Sequence, residues 1–366
     1  MSSGMELGFP LEEQYVRPDA SDIFDRLYRA YVKAGERSAL KIERYYRLAG
    51  RTLKLCFAGD ALVSKLTPAL SPLICNPIEK PDVEICIWDS RTTGLPLPSP
   101  DWTPQDYLAR GEIRGLNRGK ILASYQTGPD ILNMFNRERN RGLFWIRDAR
   151  RVPFYECAAP LRIILHWWLR SLGRQLIHGG AFGTDSGGVL LAGSGGAGKS
   201  TASLALGMSR GMGFAGDDYC VLEPGPPPWI HSLYATAKLD GASIKRLVHL
   251  NLPVNTSRTD GEKTVIYLHE RFAARLIPGF PLKAILCPRI TGSARTTVRP
   301  ESSGAGYRAL AVSSVFQLPG ADPSDLNRIA STVRCVPAFI LEMGTDMIEA
   351  AQEVRVWSSE LVAEAG

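Results

Sequence analysis

Cysteine and histidine patterns are what this 366-residue sequence most clearly lacks. Its seven cysteines are scattered along the chain, with no C-x-x-C and no paired spacing. Its five histidines form no H-x-x-x-H or H-E-x-x-H pattern. These absences disfavour a disulfide framework and a zinc hydrolase, and they predict the reduced thiols of a cytoplasmic protein.

Long apolar runs and a strong charge of one sign are also missing. No stretch approaches the length of a membrane span, and the first residues show no charged-then-apolar signal pattern. Lys and Arg number 43 against 37 Asp and Glu, a net charge of +6, and no basic block is interleaved with aromatic residues. We therefore expect no membrane and no nucleic-acid partner, whereas a phosphate ligand or an acidic peptide suits this mild positive charge.

A glycine-rich segment stands near the middle of the chain. Residues 189–192 form a short apolar run that is typical of a buried strand, and an Ala/Leu/Ser run with helical potential follows residue 201. Between them lies G-x-x-x-x-G-K-[ST], the pattern of a phosphate-binding loop in its strand, loop and helix context. The candidate nucleotide-binding residues are Gly193, Ser194, Gly195, Gly196, Ala197, Gly198, Lys199, Ser200 and Thr201. A serine hydrolase would require the G-x-S-x-G spacing around its nucleophilic serine, and this segment does not have that spacing.

This loop predicts ATP and Mg²⁺ as ligands. Small side chains allow backbone N–H groups to approach a triphosphate closely. Lys199 would bring a positive charge to the β- and γ-phosphates, and the Ser200 hydroxyl would ligate Mg²⁺. The helix N-terminus favours the same anion.

Two adjacent carboxylates, Asp217 and Asp218, follow a predicted strand at residues 212–215. Next to a phosphate loop, one carboxylate would hold the metal while the other accepts a proton from the attacking hydroxyl. We expect Asp218 to hold the metal with Ser200, and Asp217 to be the base, with the opposite division left open. A solvated Asp-Asp turn is the structural alternative.

The pairing of GSGGAGKST with GFAGDD resembles the HPr kinase/phosphorylase family and its relatives, and it is similar to ATP-dependent phosphoenolpyruvate carboxykinase. Upstream, LIHGG at residues 176–180 resembles the family pattern in which a histidine, here His178, lies on the strand before the loop strand. The resemblance implies a compact P-loop kinase core that phosphorylates a serine hydroxyl. His178 would then neighbour the base or touch the γ-phosphate, so it joins Asp217, Asp218 and Lys199 as a catalytic candidate.

The acceptor is left open by the sequence. Relatives near HPr kinase modify a serine on a carrier protein, a ribosomal peptide such as a lasso-peptide precursor, or free serine, and we expect a peptide or protein acceptor. The alternatives are a free-serine kinase, a P-loop NTPase switch that hydrolyses nucleotide without an acceptor, and a carboxykinase-type enzyme. The short chain and the absence of a recognisable carboxylate-binding arginine motif weigh against the last. Formation of a homo-oligomer is compatible with the sequence.

The fold class predicted by alternating strand and helix patterns is α/β. We expect an N-terminal α/β or α+β module at residues 1–155, a candidate for substrate docking, and a P-loop catalytic domain of the HPr kinase/carboxykinase type at residues 156–366. Residues 158–173 predict one amphipathic helix at the junction, with Pro160 in its first turn. Lys238, a lone cation among small and apolar residues, would either reach a phosphate oxygen or extend into solvent from a helix start.

Overall fold

The computed structural model describes residue 17, residues 19–254 and residues 263–364. Within these residues the chain builds two large mixed sheets with helices packed against them. The α/β fold class predicted from the sequence is therefore confirmed. No helix of this described part is long and apolar enough to cross a membrane.

The first half of the chain forms a six-stranded sheet in the order β1-β2-β3-β6-β5-β4. Strand β3 is parallel to both of its neighbours, β2 and β6, and the other neighbouring pairs are antiparallel. The strands are β1 (Lys41–Leu48), β2 (Arg51–Ala58), β3 (Val83–Asp89), β4 (Ile121–Gln126), β5 (Ile131–Asn136) and β6 (Arg141–Ile146). Helix α1 (Ala20–Ser38) covers one face, because its buried residues Ile23, Phe24 and Leu27 recur at helical spacing.

The second half forms a nine-stranded sheet and a separate two-stranded ribbon, β13 with β14. The strands are β7 (Gln175–Ile177), β8 (Gly180–Thr184), β9 (Gly187–Leu191), β10 (Gly213–Gly216), β11 (Cys220–Glu223), β12 (Trp229–His231), β13 (Thr236–Leu239), β14 (Thr264–Tyr267), β15 (Gly279–Ile290), β16 (Thr297–Glu301) and β17 (Ala338–Met343). The main order is β10-β8-β9-β15-β12-β11-β7, with β17 paired to β15 and β16. Strand β9 lies inside the sheet and is parallel to β15.

The remaining helices pack against these sheets or connect their strands. They are α2 (Val63–Leu66), α3 (Ser90–Thr93), α4 (Phe154–Ala158), α5 (Arg162–Ser171), α6 (Lys199–Gly207), α7 (Gly241–Arg246), α8 (His269–Phe272), α9 (Ser303–Ser314), α10 (Pro323–Cys335) and α11 (Met347–Glu364).

Side chains alternate between the two faces of β9. Leu190 joins the core beneath α9 and α10, whereas Val189 and Leu191 join the core beneath α6 and α11. Strand β9 and its following loop are thus held between two helical layers.

The junction helix differs from its prediction. Residues 158–173 do not form one helix: α4 ends at Ala158, α5 begins at Arg162, and Pro160 lies between them. A proline disfavours helical geometry in the residue before it, and Ala159 accordingly has φ −136° and ψ 69°. Helix α5 then packs in one hydrophobic cluster with residues of both large sheets, including Phe144 and Val221. The division near residue 155 stays a prediction.

A buried ion pair lies at this junction. Glu156 is 2% exposed, its Oε1 accepts the Leu161 N–H at 2.7 Å, and its Oε2 lies 3.0 Å from Arg162. Burial raises the pKa of Glu156, while the neighbouring guanidinium opposes this effect. Glu156→Ala is expected to lower the free energy of unfolding by about 3–5 kcal/mol, because it leaves Arg162 unpaired in the interior.

Urea unfolding monitored by tryptophan fluorescence measures this change. Glu138 provides a matched control, because its ion pair with Lys120 is exposed at the surface. Glu138→Ala should cost no more than about 1 kcal/mol. Equal losses from the two substitutions would contradict a structural role for the buried pair.

Candidate active site

The glycine-rich loop connects β9 to α6. Gly196 has φ +80°, and Gly198, the residue that caps α6, has φ +92°. These left-handed conformations are readily accessible to glycine and strained for most other residues. The strand, loop and helix order therefore agrees with the motif, and the first turn of α6 presents its N–H groups to the loop.

Lys199 lies within the curve of this loop. Its Nζ donates hydrogen bonds to the carbonyl oxygens of Gly193 at 2.8 Å and Ser194 at 2.9 Å. The side chain is only 7% exposed, and burial lowers the pKa of its ammonium, while Asp217 and Asp218 act to raise it. The loop thus holds its cation where a bound phosphate chain would lie.

Asp217 lies in the turn between β10 and β11, facing α6. It is 2% exposed, its Oδ1 accepts the Ser203 hydroxyl at 2.9 Å, and its Oδ2 accepts the Lys238 N–H at 3.2 Å. Burial raises the pKa of Asp217, Asp218 adds to this, and hydrogen bonds from Lys238, Ser203 and Ser200 oppose it. Asp217 is therefore a carboxyl group beside the Ser200 hydroxyl that has no cation of its own within ion-pair distance among the described residues.

Asp218 faces a different set of partners. Its Oδ1 lies 3.2 Å from His178 Nε2, and its Oδ2 lies 2.6 Å from Lys238 Nζ. Burial acts to raise the pKa of Asp218, but the His178 hydrogen bond and the Lys238 charge outweigh it and hold the pKa well below its usual range. Asp218 is thus ionised at neutral pH, and both of its oxygens have fixed partners.

These groups meet in one pocket of about 280 Å³. Elements distant in sequence supply its walls: β13 gives Lys238, α7 gives Ser243 and Arg246, and Lys263 precedes β14. The charged lining residues are Lys199, Lys238, Arg246, Lys263, Asp217, Asp218 and Asp240. Four cations against three carboxylates suit a polyanionic ligand.

The sequence-predicted residues are largely brought together here. The pocket contains Lys199, Ser200, Asp217, Asp218 and His178. The loop residues Gly195, Gly196, Gly198 and Thr201 also line it, whereas Gly193, Ser194 and Ala197 line an adjoining groove on the other side of the loop. How these residues act stays a prediction.

The predicted placement of His178 needs a correction. His178 is not on a strand, because β7 ends at Ile177 and β8 begins at Gly180. Strand β8 also lies between this histidine and the loop strand β9 in the chain. The ring still reaches Asp218, because β7 pairs with β11 and so places its end beside the Asp217–Asp218 turn.

Other pocket contacts were not predicted from the sequence. Lys238 lies on strand β13, just before α7, and it pairs with Asp218 instead of extending into solvent. Gln317 Nε2 lies 3.2 Å from His178 Nδ1, and Ser203 holds Asp217. No local motif marks Gln317 or Ser203, since their contacts arise only when distant elements pack together.

A second cavity of about 100 Å³ adjoins the helix side of the loop. Thr201 and Arg246 line it together with Ile290, Met343 and Met347. Its apolar walls and its position next to the first turn of α6 suit the base of a nucleotide whose phosphates lie in the loop.

A Mg²⁺ ion at this loop would require oxygen donors near Ser200. Among the described residues no cluster of three or more His, Cys, Asp or Glu side chains could hold a metal ion. Mg²⁺ in phosphoryl-transfer sites commonly takes only one or two carboxylates, with water and substrate phosphates completing its shell. The adjacent oxygens of Ser200 and Asp217 fit that arrangement.

Comparisons with known proteins add little to this geometry. No protein-family model matches the chain, and no curated protein matches it. Among solved structures, the chain is similar to the Hpr(Ser) kinase/phosphatase from Coxiella burnetii, at 14% identity and a TM-score of 0.29, over 51% of this chain and 99% of that one. This distant relation is too weak to carry an argument about fold or activity, which therefore rest on the geometry described above.

Proposed function

We propose that this protein is a Mg²⁺-dependent kinase that transfers the γ-phosphoryl group of ATP to a serine or threonine hydroxyl on a peptide or protein. One observation carries this proposal: the Asp217–Asp218 turn lies beside Lys199 and Ser200 of the phosphate loop, and both carboxylates line the same pocket with different partners. Phosphoryl transfer requires mainly positioned charge and a positioned hydroxyl, and this pocket offers both.

Nucleotide binding follows from the loop. Its backbone N–H groups and Lys199 would hold the β- and γ-phosphates, and the apolar cavity near Met343 and Met347 would hold the base. When bound, Mg²⁺ would neutralise the negative charge that develops during transfer. Ser200 and Asp217 are the side chains that would hold it.

The contacts of the two carboxylates favour the opposite division of tasks, which the sequence left open. Asp217 adjoins Ser200, and a cation there would restore the ionised form that burial disfavours. Asp218 adjoins His178 and Lys238 and is already ionised, so it is available to an acceptor hydroxyl. We therefore assign metal binding to Asp217 and hydroxyl orientation to Asp218.

The transfer step uses Asp218 as the proton acceptor. The serine oxygen attacks the γ-phosphorus in line, the bond from that phosphorus to the β–γ bridging oxygen breaks, and ADP leaves. The hydroxyl proton passes to Asp218. A strong base is not required, because the nucleophile loses its proton late in a loose transition state. Lys238 would hold Asp218 in place and balance its charge.

Labelled nucleotide distinguishes this proposal from its alternatives. The protein is incubated with γ-labelled ATP and Mg²⁺, alone, with a library of serine- and threonine-containing peptides, and with free serine. A kinase of peptides or proteins transfers label to the peptide pool. Transfer to free serine would indicate a small-molecule kinase, and release of phosphate with no acceptor dependence would indicate an NTPase switch. Turnover that required oxaloacetate would indicate a carboxykinase-type reaction.

Asp217→Asn is expected to raise the Mg²⁺ concentration needed for half-maximal turnover by at least about tenfold. The amide is isosteric but lacks the charge that a hard cation requires. Mg²⁺ titration at saturating ATP measures the change.

Asp60→Asn serves as the control, because Asp60 is exposed beyond the end of β2, outside the pocket. Unaltered Mg²⁺ dependence in Asp217→Asn, together with a shift in Asp218→Asn, would restore the division of tasks expected from the sequence.

A further inference from the structure

A chain of side-chain contacts extends from the pocket to the turn after α9. The Tyr219 hydroxyl donates to Gln317 Oε1 at 3.4 Å, and Gln317 Nε2 lies 3.2 Å from His178 Nδ1. His178 Nε2 lies 3.2 Å from Asp218 Oδ1, and Asp218 Oδ2 is paired with Lys238 at 2.6 Å. We infer that Gln317 is a positioning residue that fixes the proton on His178 Nε2 and thereby orients Asp218 for transfer, an inference that rests on the proposed function.

The hydrogen-bonding capacities of these groups support the inference. Asp218 Oδ2 is paired with the Lys238 ammonium at 2.6 Å, so the carboxylate accepts at Oδ1, and the 3.2 Å contact there requires a hydrogen on His178 Nε2. A neutral imidazole then carries a lone pair on Nδ1, which needs a donor. Among the described residues, the Gln317 amide supplies it.

The orientation of the Gln317 amide is itself held. Tyr219 is 6% exposed, and its hydroxyl bonds to the amide oxygen, which directs the amide nitrogen towards His178. With the amide reversed, its oxygen would face the Nδ1 lone pair, an unfavourable contact of two acceptors. The orientation with the amide oxygen at Tyr219 and the nitrogen at His178 thus satisfies both neighbours and favours the Nε2–H tautomer.

Other contacts also hold His178 in position. Its backbone N–H donates to the Ser314 hydroxyl at 3.1 Å, and its ring lies 5.4 Å from the Tyr219 ring between centroids. These contacts hold the ring in place but are indifferent to which nitrogen carries hydrogen. The tautomer therefore depends on the partners of the two ring nitrogens, Asp218 at Nε2 and Gln317 at Nδ1.

Gln317→Glu provides a direct test. Glutamate keeps the length of the side chain and still accepts from Tyr219, but it presents an acceptor to His178 Nδ1. We expect kcat to fall about 10- to 100-fold, with the KM for ATP nearly unchanged because the phosphate loop is untouched. Gln317 is exposed, so loss of folding is not expected. Gln317→Met, which removes the amide without adding charge, should lower kcat in the same direction, and Gln352→Glu on α11 controls for added charge.

Two further measurements separate positioning from a general effect. In a His178→Ala background, Gln317→Glu should cause no additional loss of kcat, because the residue acts through the histidine. Long-range ¹H–¹⁵N spectra of protein labelled with [¹⁵N]histidine should show hydrogen on Nε2 and none on Nδ1 of His178 in the wild type, whereas in Gln317→Glu Nδ1 should also carry hydrogen, because the introduced carboxylate accepts from it.

The outcomes are distinguishable. Wild-type protein without phosphoryl transfer would overturn the proposed function, and the spectra would still decide the tautomer. An active wild type whose kcat is unaffected by Gln317→Glu and Gln317→Met, or an equal loss of kcat in the His178→Ala background, would overturn the role of Gln317. An Nδ1–H tautomer in the wild type would overturn it as well.

Discussion

Lys199→Met is expected to lower kcat by at least about 10²- to 10³-fold, the loss that follows removal of one preorganised donor from a transition-state charge. Lys199 Nζ already lies within the loop, bound to the carbonyl oxygens of Gly193 and Ser194. Bound phosphates would offer it better partners than these carbonyls, and its charge is most valuable as negative charge develops during transfer. Steady-state rates at saturating ATP measure the loss.

Lys245→Met is the matched control for this substitution. Lys245 is an exposed cation on α7, near the pocket but not among its lining residues. It should retain rates close to those of the wild type, and both variants should keep the thermal unfolding midpoint within a few degrees. Equal losses of activity in the two variants would show that net charge, and not the position of Lys199, is what matters.

Asp218→Asn is expected to lower kcat by about 10²- to 10⁴-fold, the range attributed to a positioned general base. The amide matches the carboxylate in shape but cannot accept the hydroxyl proton, and it leaves Lys238 without its counter-charge. The KM for ATP should change little, because Asp218 is assigned to the hydroxyl and not to the nucleotide. Single-turnover transfer to the acceptor peptide measures the chemical step.

Asp185→Asn is the control for Asp218→Asn, because Asp185 is an exposed carboxylate in the turn between β8 and β9. Near-normal transfer by Asp218→Asn with the true acceptor would remove it from the role of base. If the large loss appeared in Asp217→Asn without altered Mg²⁺ dependence, the base would be Asp217, as the sequence alone predicts.

The central part of the fold was predictable because its signals are local. The strand, loop and helix around residues 187–207 follow from an apolar run, a cluster of glycines and a helical run. Strands β2 and β3 likewise have local signals, since each combines apolar and β-branched residues between turn signals. The position of the Asp217–Asp218 turn was predictable for the same reason, because the signal for the strand before it is local.

What the sequence could not predict depends on packing between distant elements. Lys238 meets Asp218 because the ribbon β13–β14 lies beside the phosphate loop, and Gln317 meets His178 because the turn after α9 packs against the end of β7. Periodicity carries no information about such contacts. The break at Pro160 is different, because the sequence contains its cause: a proline disfavours helical geometry in the residue before it. The apolar residues that recur across residues 158–173 nevertheless favoured one continuous helix over the two helices observed.

The division of tasks between the two aspartates also required structure. Adjacent carboxylates in a turn point in different directions, and the sequence does not reveal which one faces α6. In the structure Asp217 turns towards Ser203 and Ser200, while Asp218 turns towards His178 and Lys238. This difference in partners, and not the order of residues, underlies the proposed roles.

The most direct test of the central claim is a crystal structure of the protein with Mg²⁺ and a non-hydrolysable ATP analogue. We expect the triphosphate to be enclosed by residues 193–201, with Lys199 on its β- and γ-phosphates. Mg²⁺ should lie between Ser200 and Asp217, and Asp218 should face the γ-phosphate from the side of His178. A nucleotide bound elsewhere, with this loop vacant or with both aspartates directed away from the phosphates, would contradict the account.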